Sequence, residues 1–266
     1  MISKRKSPSS GFSLIEMLLV VAILTIILAA IFQQIGTAQR QYRTEDQKLD
    51  LTQQSREFID QFARDVHGVG YPTIAMYGNR FQTVGTLPDT HPANSNLVAV
   101  GLWFISTTDV AFEGDLDGLG NVQVIQYHYD DGSSWTGAGP NPCPCIRRSS
   151  LPKIAANPWD QSVPIFYTEV QNLVAGQQIF SAYDVNGTAV ALAAGSLTTT
   201  GSPPTGGLLL GNDTSGVPAQ KKLALQSIKT IRINLTTQGT TNDFTTHKSI
   251  QVNMIGSAKV GQPTQD

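Results

Sequence analysis

The 266 residues carry 18 Lys and Arg against 20 Asp and Glu, and only 14% of the chain is charged, compared with about 25% in ordinary soluble proteins. So sparse and balanced a charge argues against a body that grips DNA, which needs clustered cations to neutralise phosphates. Gly, Thr, Ser, Asn and Gln are plentiful instead, and such a polar, weakly charged surface suits a domain exported from the cytoplasm.

The chain starts with a basic cluster, Lys4-Arg5-Lys6, followed by Gly11-Phe12-Ser13-Leu14-Ile15-Glu16 and then an uncharged apolar stretch to Ile35. Residues 12–35 reach the roughly 20 residues needed to span hydrocarbon. Basic residues before the span and none within it place the N-terminus in the cytoplasm. Glu16 is the anomaly. A carboxylate in hydrocarbon costs several kcal/mol unless neutralised or paired, so an ionisable residue at the head of a span marks a function and asks for a partner. Cleavage after Gly11 would free an ammonium on Phe12, and Glu16 of a neighbouring chain would meet that charge when helices pack side by side. An ordinary secretory signal also has a basic start and an apolar core, but its core runs only about 7–15 residues and has no acid at its head. A plain membrane anchor explains the length of the run but not Gly11 and Glu16 together.

The run Lys4-Arg5-Lys6 … Gly11-Phe12-Ser13-Leu14-Ile15-Glu16-Met17-Leu18-Leu19-Val20-Val21-Ala22 resembles the class III signal of type IV pilins and type II secretion pseudopilins. The resemblance implies cleavage by prepilin peptidase between Gly11 and Phe12, N-methylation of Phe12, and Glu16 as the assembly glutamate. Its implied partners are other pilin or pseudopilin subunits, the peptidase and the inner membrane, with a periplasmic or cell-surface filament as the destination. Removing residues 1–11 as a leader takes three cations away and leaves 15 basic against 20 acidic residues, a net of about −5.

From Gln33 to Val66 there is no proline and only Gly36, and residues tolerated or favoured in helices dominate. Leu51, Phe58, Ile59, Phe62 and Val66 form one apolar stripe, as on a helix lying against a sheet. Asp50, Arg56, Glu57, Asp60 and Arg64 occupy the other face. Gly68, Gly70 and Pro72 are stop signals. The passage from Ser55 to Pro72, with Arg64-Asp65 before Gly70-Tyr71, resembles the end of the spine helix in minor pilins of the PilW kind and in J-type pseudopilins.

Beyond Tyr71 the pattern turns to strands, expected at Leu97–Ser106, Val122–Tyr129, Ile165–Val170, Gln178–Tyr183, Leu223–Leu235 and Ser249–Ile255. In the fifth, Ile231, Ile233 and Leu235 share a face that should pack on the helix stripe, and Lys229 places the start of the strand proper at Thr230. Long polar loops are expected at residues 78–96, 130–159 and 194–220. Leu173 in Val170-Gln171-Asn172-Leu173, and then Tyr183-Asp184-Val185-Asn186-Gly187, again resemble PilW and J-type heads. A minor subunit is therefore expected rather than a major pilin.

Within the loops, Asp115, Asp117 and Asn121 put oxygen ligands at alternate positions beside glycines, as a calcium loop does. No Glu closes the loop at the EF-hand distance, so an acidic connection between strands competes with a calcium site. Cys143-Pro144-Cys145 holds the only two cysteines. A local disulfide, free thiols and redox chemistry rank in that order, since export is oxidising and the familiar redox spacing is Cys-x-x-Cys. Arg147-Arg148 reads as a solvated loop pair. His67, His91, His128 and His247 share no ligand spacing, and no hydrolase, phosphate-loop or metalloprotease motif is present, so no enzyme, no resident cofactor and no nucleic-acid partner are expected.

The expected molecule is an α+β pilin fold. A leader occupies 1–11, a transmembrane or filament-core helix 12–35 and an amphipathic spine helix 36–67. Residues 68–266 form a β-rich extracytoplasmic head, as one pilin-like unit or with a lobe between Pro140 and Gln220.

Overall fold

A computed structural model describes residues 13–73, 98–132, 143–154, 158–159, 161–197, 204–210, 224–243 and 246–261. The expected loop at 78–96, including His91, lies outside them, as do Gly11 and Phe12. The architecture is α+β: one long N-terminal helix followed by antiparallel sheets.

Helix α1 runs unbroken from Leu14 to His67, which at ~1.5 Å per residue is about 80 Å. No proline interrupts it, and the one glycine, Gly36, meets nothing within 4 Å. Its two halves differ in environment. Residues 14–35 are exposed all round and mostly apolar, whereas Leu51, Ser55, Phe58, Phe62, Asp65 and Val66 are buried. The helix ends where Gly68 donates its N–H to Asp65 O at 3.1 Å and Gly70 turns to φ 77°. A side chain at Gly68 would press on Leu116 at 2.8 Å, and one at Gly114 would collide with the Gly68 carbonyl. The exit from the helix is therefore laid directly onto a strand, with Val69 bridging Gly114.

Strands β1 (Leu102–Ile105), β2 (Asp109–Gly114), β3 (Gln123–Asp131), β4 (Pro144–Pro152) and β5 (Tyr167–Val170) form a meander. With β10 (Leu208–Leu209) it makes a six-stranded sheet in the order β10-β1-β2-β3-β4-β5. A second sheet, β12-β11-β6-β7, combines β6 (Phe180–Tyr183), β7 (Ala189–Val190), β11 (Thr230–Asn242) and β12 (Ser249–Lys259). A small ribbon joins β8 (Gly195–Ser196) to β9 (Thr205–Gly206).

α1 packs on β11 and β12, with β5 alongside. Ile231, Ile233 and Leu235 point into the core with Phe58, Phe62 and Val66, as the alternation in β11 predicts. Gly256 on β12 lets Ile59 sit against the backbone, where a Cβ would overlap the Ile59 side chain.

The structure corrects several expectations. The strand expected at Leu97–Ser106 narrows to Leu102–Ile105, and residues 224–227 are a helical turn before β11 starts at Thr230. β2 is not among the expected strands; it ends on Glu113 and Gly114, next to the acidic connection that follows. The loop expected at 130–159 contains β4, and that at 194–220 contains β8, β9 and β10. Among the described residues, 144–209 contribute to both main sheets rather than to a separate lobe.

Candidate functional site

Glu16 lies in the first turn of α1, where the aligned peptide dipoles favour an acid. Its neighbours Leu14, Ile15, Met17, Leu18 and Leu19 are all more than half exposed. No ion pair among the described residues involves Glu16. The next cation along the helix is Arg40, about 36 Å up the axis at ~1.5 Å per residue. Glu16 thus has no answer on its own helix. The one hydroxyl inside the apolar segment, Thr25 Oγ1, donates to Val21 O at 2.8 Å and Ala22 O at 2.9 Å, so it adds no unsatisfied polar group. The helix is apolar and long enough to cross a membrane, with Glu16 as its only charge up to Ile35.

A family model described as a prokaryotic N-terminal methylation motif matches residues 6–32. The chain is a type IV pilin-like protein. The match covers the processing signal and the apolar helix but none of the head, and it applies to pilins and pseudopilins alike. Comparison with curated proteins and with solved structures found no match. A pilin-like chain of this kind is processed by its peptidase and assembles with other pilin subunits, and its N-terminal helix fits membrane anchoring.

A second group of residues fixes the pilin-like helix to its head. Asp65 is buried at the end of α1 and accepts three bonds: from Tyr127 Oη at 2.6 Å, Arg148 Nε at 2.8 Å and Gln61 Nε2 at 2.7 Å. Burial raises the Tyr127 phenol well above its usual 10.0, with the Asp65 charge adding and Arg148 opposing. The phenol is therefore a permanent donor. The Arg148 guanidinium also lies over the Tyr127 ring, 5.9 Å from its centroid. In the sequence Arg64-Asp65 carries only a resemblance and no contact for Asp65 is expected, although it falls three residues after Phe62 on the apolar stripe. A charge on a core-facing stripe was the available signal.

Arg147-Arg148 is not the solvated loop pair that the sequence suggested. Both lie on β4, where Arg147 is fully buried and donates to Asp130 Oδ2 at 3.0 Å. Two further buried pairs tie the six-stranded sheet together. Lys153 Nζ donates to Glu113 Oε2 at 2.7 Å and to Val98 O at 2.9 Å, and His128 Nδ1 meets Asp109 Oδ1 at 2.6 Å.

The candidate calcium residues lie between β2 and β3. Asp115 accepts from the Gly118 and Gly120 amides, both at 2.8 Å, and Asp117 accepts from the Leu119 amide at 2.9 Å and Gln123 Nε2 at 3.1 Å. The loop's own donors thus occupy both Asp115 oxygens and both Asp117 oxygens, and the amide of Leu119 is the main reason the Asp117 carboxyl is held below its ordinary range. Asn121 is exposed and lines, with Asp117, Gln123, Ser150 and Pro152, an open cleft of about 480 Å³. Cys143 and Cys145 are joined by a disulfide at the start of β4.

Proposed function

We propose that this chain is a minor pilin of the PilW kind. It is cut by prepilin peptidase between Gly11 and Phe12, N-methylated at Phe12, and drawn through its helix into a type IV pilus, where it helps prime or stabilise assembly. Before assembly it resides in the inner membrane with the N-terminus in the cytoplasm and the head outside. Its mechanism is packing rather than catalysis, with no cofactor. The observation that carries this reading is Glu16: an acid heading an apolar helix with no cation within reach on that helix. The new ammonium of Phe12 on a neighbour supplies the counter-charge, and an ion pair formed only between chains sets the register of the helices.

Replacing Glu16 by Ala tests the pairing. Incorporation into sheared filaments, measured by immunoblot, should fall at least tenfold while the membrane pool persists; undiminished incorporation would refute the role. Mass spectrometry of the membrane-extracted protein tests processing, with a chain starting at methylated Phe12 expected. Deletion should impair twitching or DNA uptake. Loss of protein secretion alone would instead make the chain a J-type pseudopilin.

A further inference from the structure

The disulfide between Cys143 and Cys145 joins no two elements of the fold. Cys145 lies on β4 and Cys143 immediately before it, so the bridge closes the shortest kind of loop, in which a cross-link restrains the unfolded chain least. The corner is held without it. Cys145 pairs with Asp130 and Pro144 with Asp131 at one end of the β3–β4 register, and the Pro144 carbonyl accepts from the Leu173 amide at 2.8 Å. Opening the S–S bond therefore leaves these backbone bonds in place.

A buried cation faces the bridge. Arg147 follows Cys145 by two positions on the same face of β4, and its Nη2 donates to Asp130 Oδ2 at 3.0 Å and to Cys143 Sγ at 3.6 Å. Asp130 sets this geometry: Oδ1 accepts from the Gly132 amide at 2.9 Å, and Oδ2 also accepts from the Cys143 amide at 3.4 Å. One carboxylate thus holds both the guanidinium and the Cys143 backbone. The other charged groups here are Asp131, next to Asp130 on β3, and His128, which pairs with Arg147 in register. Asp130 opposes a further negative charge, but two backbone amides besides Arg147 already answer it. A guanidinium against sulfur favours the thiolate, and a disulfide carries no charge for it to meet. Only reduction creates one. Access is one-sided as well, since Cys143 is partly exposed and Cys145 fully buried. Asp130, Cys143 and Cys145 also lie close enough together to ligate a metal, but Arg147 already occupies the carboxylate and its charge opposes a second cation.

We infer that Cys143 and Cys145 form a thiol–disulfide exchange site, which takes a thiol reductant and is left as a Cys143 thiolate against Arg147 and a buried Cys145 thiol. The reachable sulfur, Cys143 Sγ, is attacked first. A reductant thiolate bonds to it as the bond to Cys145 breaks, and Cys145 Sγ leaves with the electron pair and takes up a proton. A second thiolate, from the same reductant or another, then attacks the reductant sulfur and releases Cys143 as a thiolate beside Arg147. Two reductant thiols become one disulfide; of their two protons, one ends on Cys145 and one in solvent. Stabilising the released thiolate speeds its departure and favours the reduced pair at equilibrium. The inference goes beyond the filament reading and does not rest on it.

Equilibrating the full chain in detergent with reduced and oxidised glutathione tests the exchange, because these two cysteines are the only ones in the chain. Mass spectrometry after thiol trapping should find the pair reduced while the circular dichroism of the folded head is unchanged. Iodoacetamide should label the reduced chain first at Cys143, with a half-point below the ordinary thiol pKa of about 8.5. Arg147→Lys keeps a charge beside the sulfur and should leave the half-point below that value. Arg147→Met should raise it by about one pH unit, a tenfold loss in the thiolate equilibrium. Where Arg147→Met fails to fold, the parent and Arg147→Lys decide. A bond that glutathione opens only in unfolded protein would overturn the proposal, as would a Cys143 half-point in the folded parent at or above the ordinary value. The parent's half-point in a folded Arg147→Met chain would overturn it too.

Discussion

Glu113 and Lys153 carry opposite charges 2.7 Å apart with almost no exposure, yet they do not make a strong anchor. Burial pushes the Glu113 carboxyl above its ordinary 4.5, and the pull of Lys153 and the Val100 amide offsets this only in part. Its second oxygen, Oε1, has no hydrogen-bond partner among the described residues. An acid whose folded pKa is raised holds its proton longer in the native state than in the unfolded chain. Its contribution to stability is therefore present below pH 4.5 and lost as pH rises through the raised value. Glu113→Gln cannot titrate, so the stability advantage of the parent over this variant should shrink between pH 4.5 and 7, as read from urea midpoints. A widening advantage would mean that the Lys153 attraction outweighs burial. The pairing itself was invisible in the sequence, where residues 113 and 153 lie in separate segments and neither neighbourhood signals the other.

At the level of elements, α1 and β12 meet through a backbone-to-side-chain contact that only glycine permits. Gly256→Ala would drive a methyl into Ile59, and overpacking of this kind costs typically 1–3 kcal/mol. The head should lose about that much in denaturant unfolding, and a second substitution, Ile59→Ala, should recover part of it. An unchanged midpoint would show that helix and strand separate freely there. The helix stripe and the β11 alternation were legible because one periodic face meets another. β4 was not, because Cys145, Arg147 and Ser149 alternate with Ile146, Arg148 and Ser150 and show no apolar pattern. Its burial depends on Asp130 and Asp65 being supplied by other elements.

Across the whole molecule the apolar half of α1 and the head are structurally independent. Residues 14–35 have no buried side chain, while the contacts that hold the helix to the head run from Thr44 to Val66. A chain beginning at Gly36 should therefore be soluble and unfold cooperatively near the temperature of the detergent-solubilised full chain, as measured by circular dichroism. A collapse in that temperature would place the membrane half inside the folding unit.

What the linear order of residues determined is local. The apolar run, the lone acid at its head, the glycine stops after the spine and the alternation in β11 are each readable within a few turns or one strand, because periodicity and charge act between near neighbours. Tertiary structure decided the rest. The β-rich head resolved into a six-stranded sheet, a four-stranded sheet and a small ribbon, and Arg147 and Arg148, which read as a solvated pair, met the buried carboxylates of Asp130 and Asp65. All of these depend on groups far apart in sequence coming within a few ångströms, and a charge is only as costly as the partner that folding brings to it.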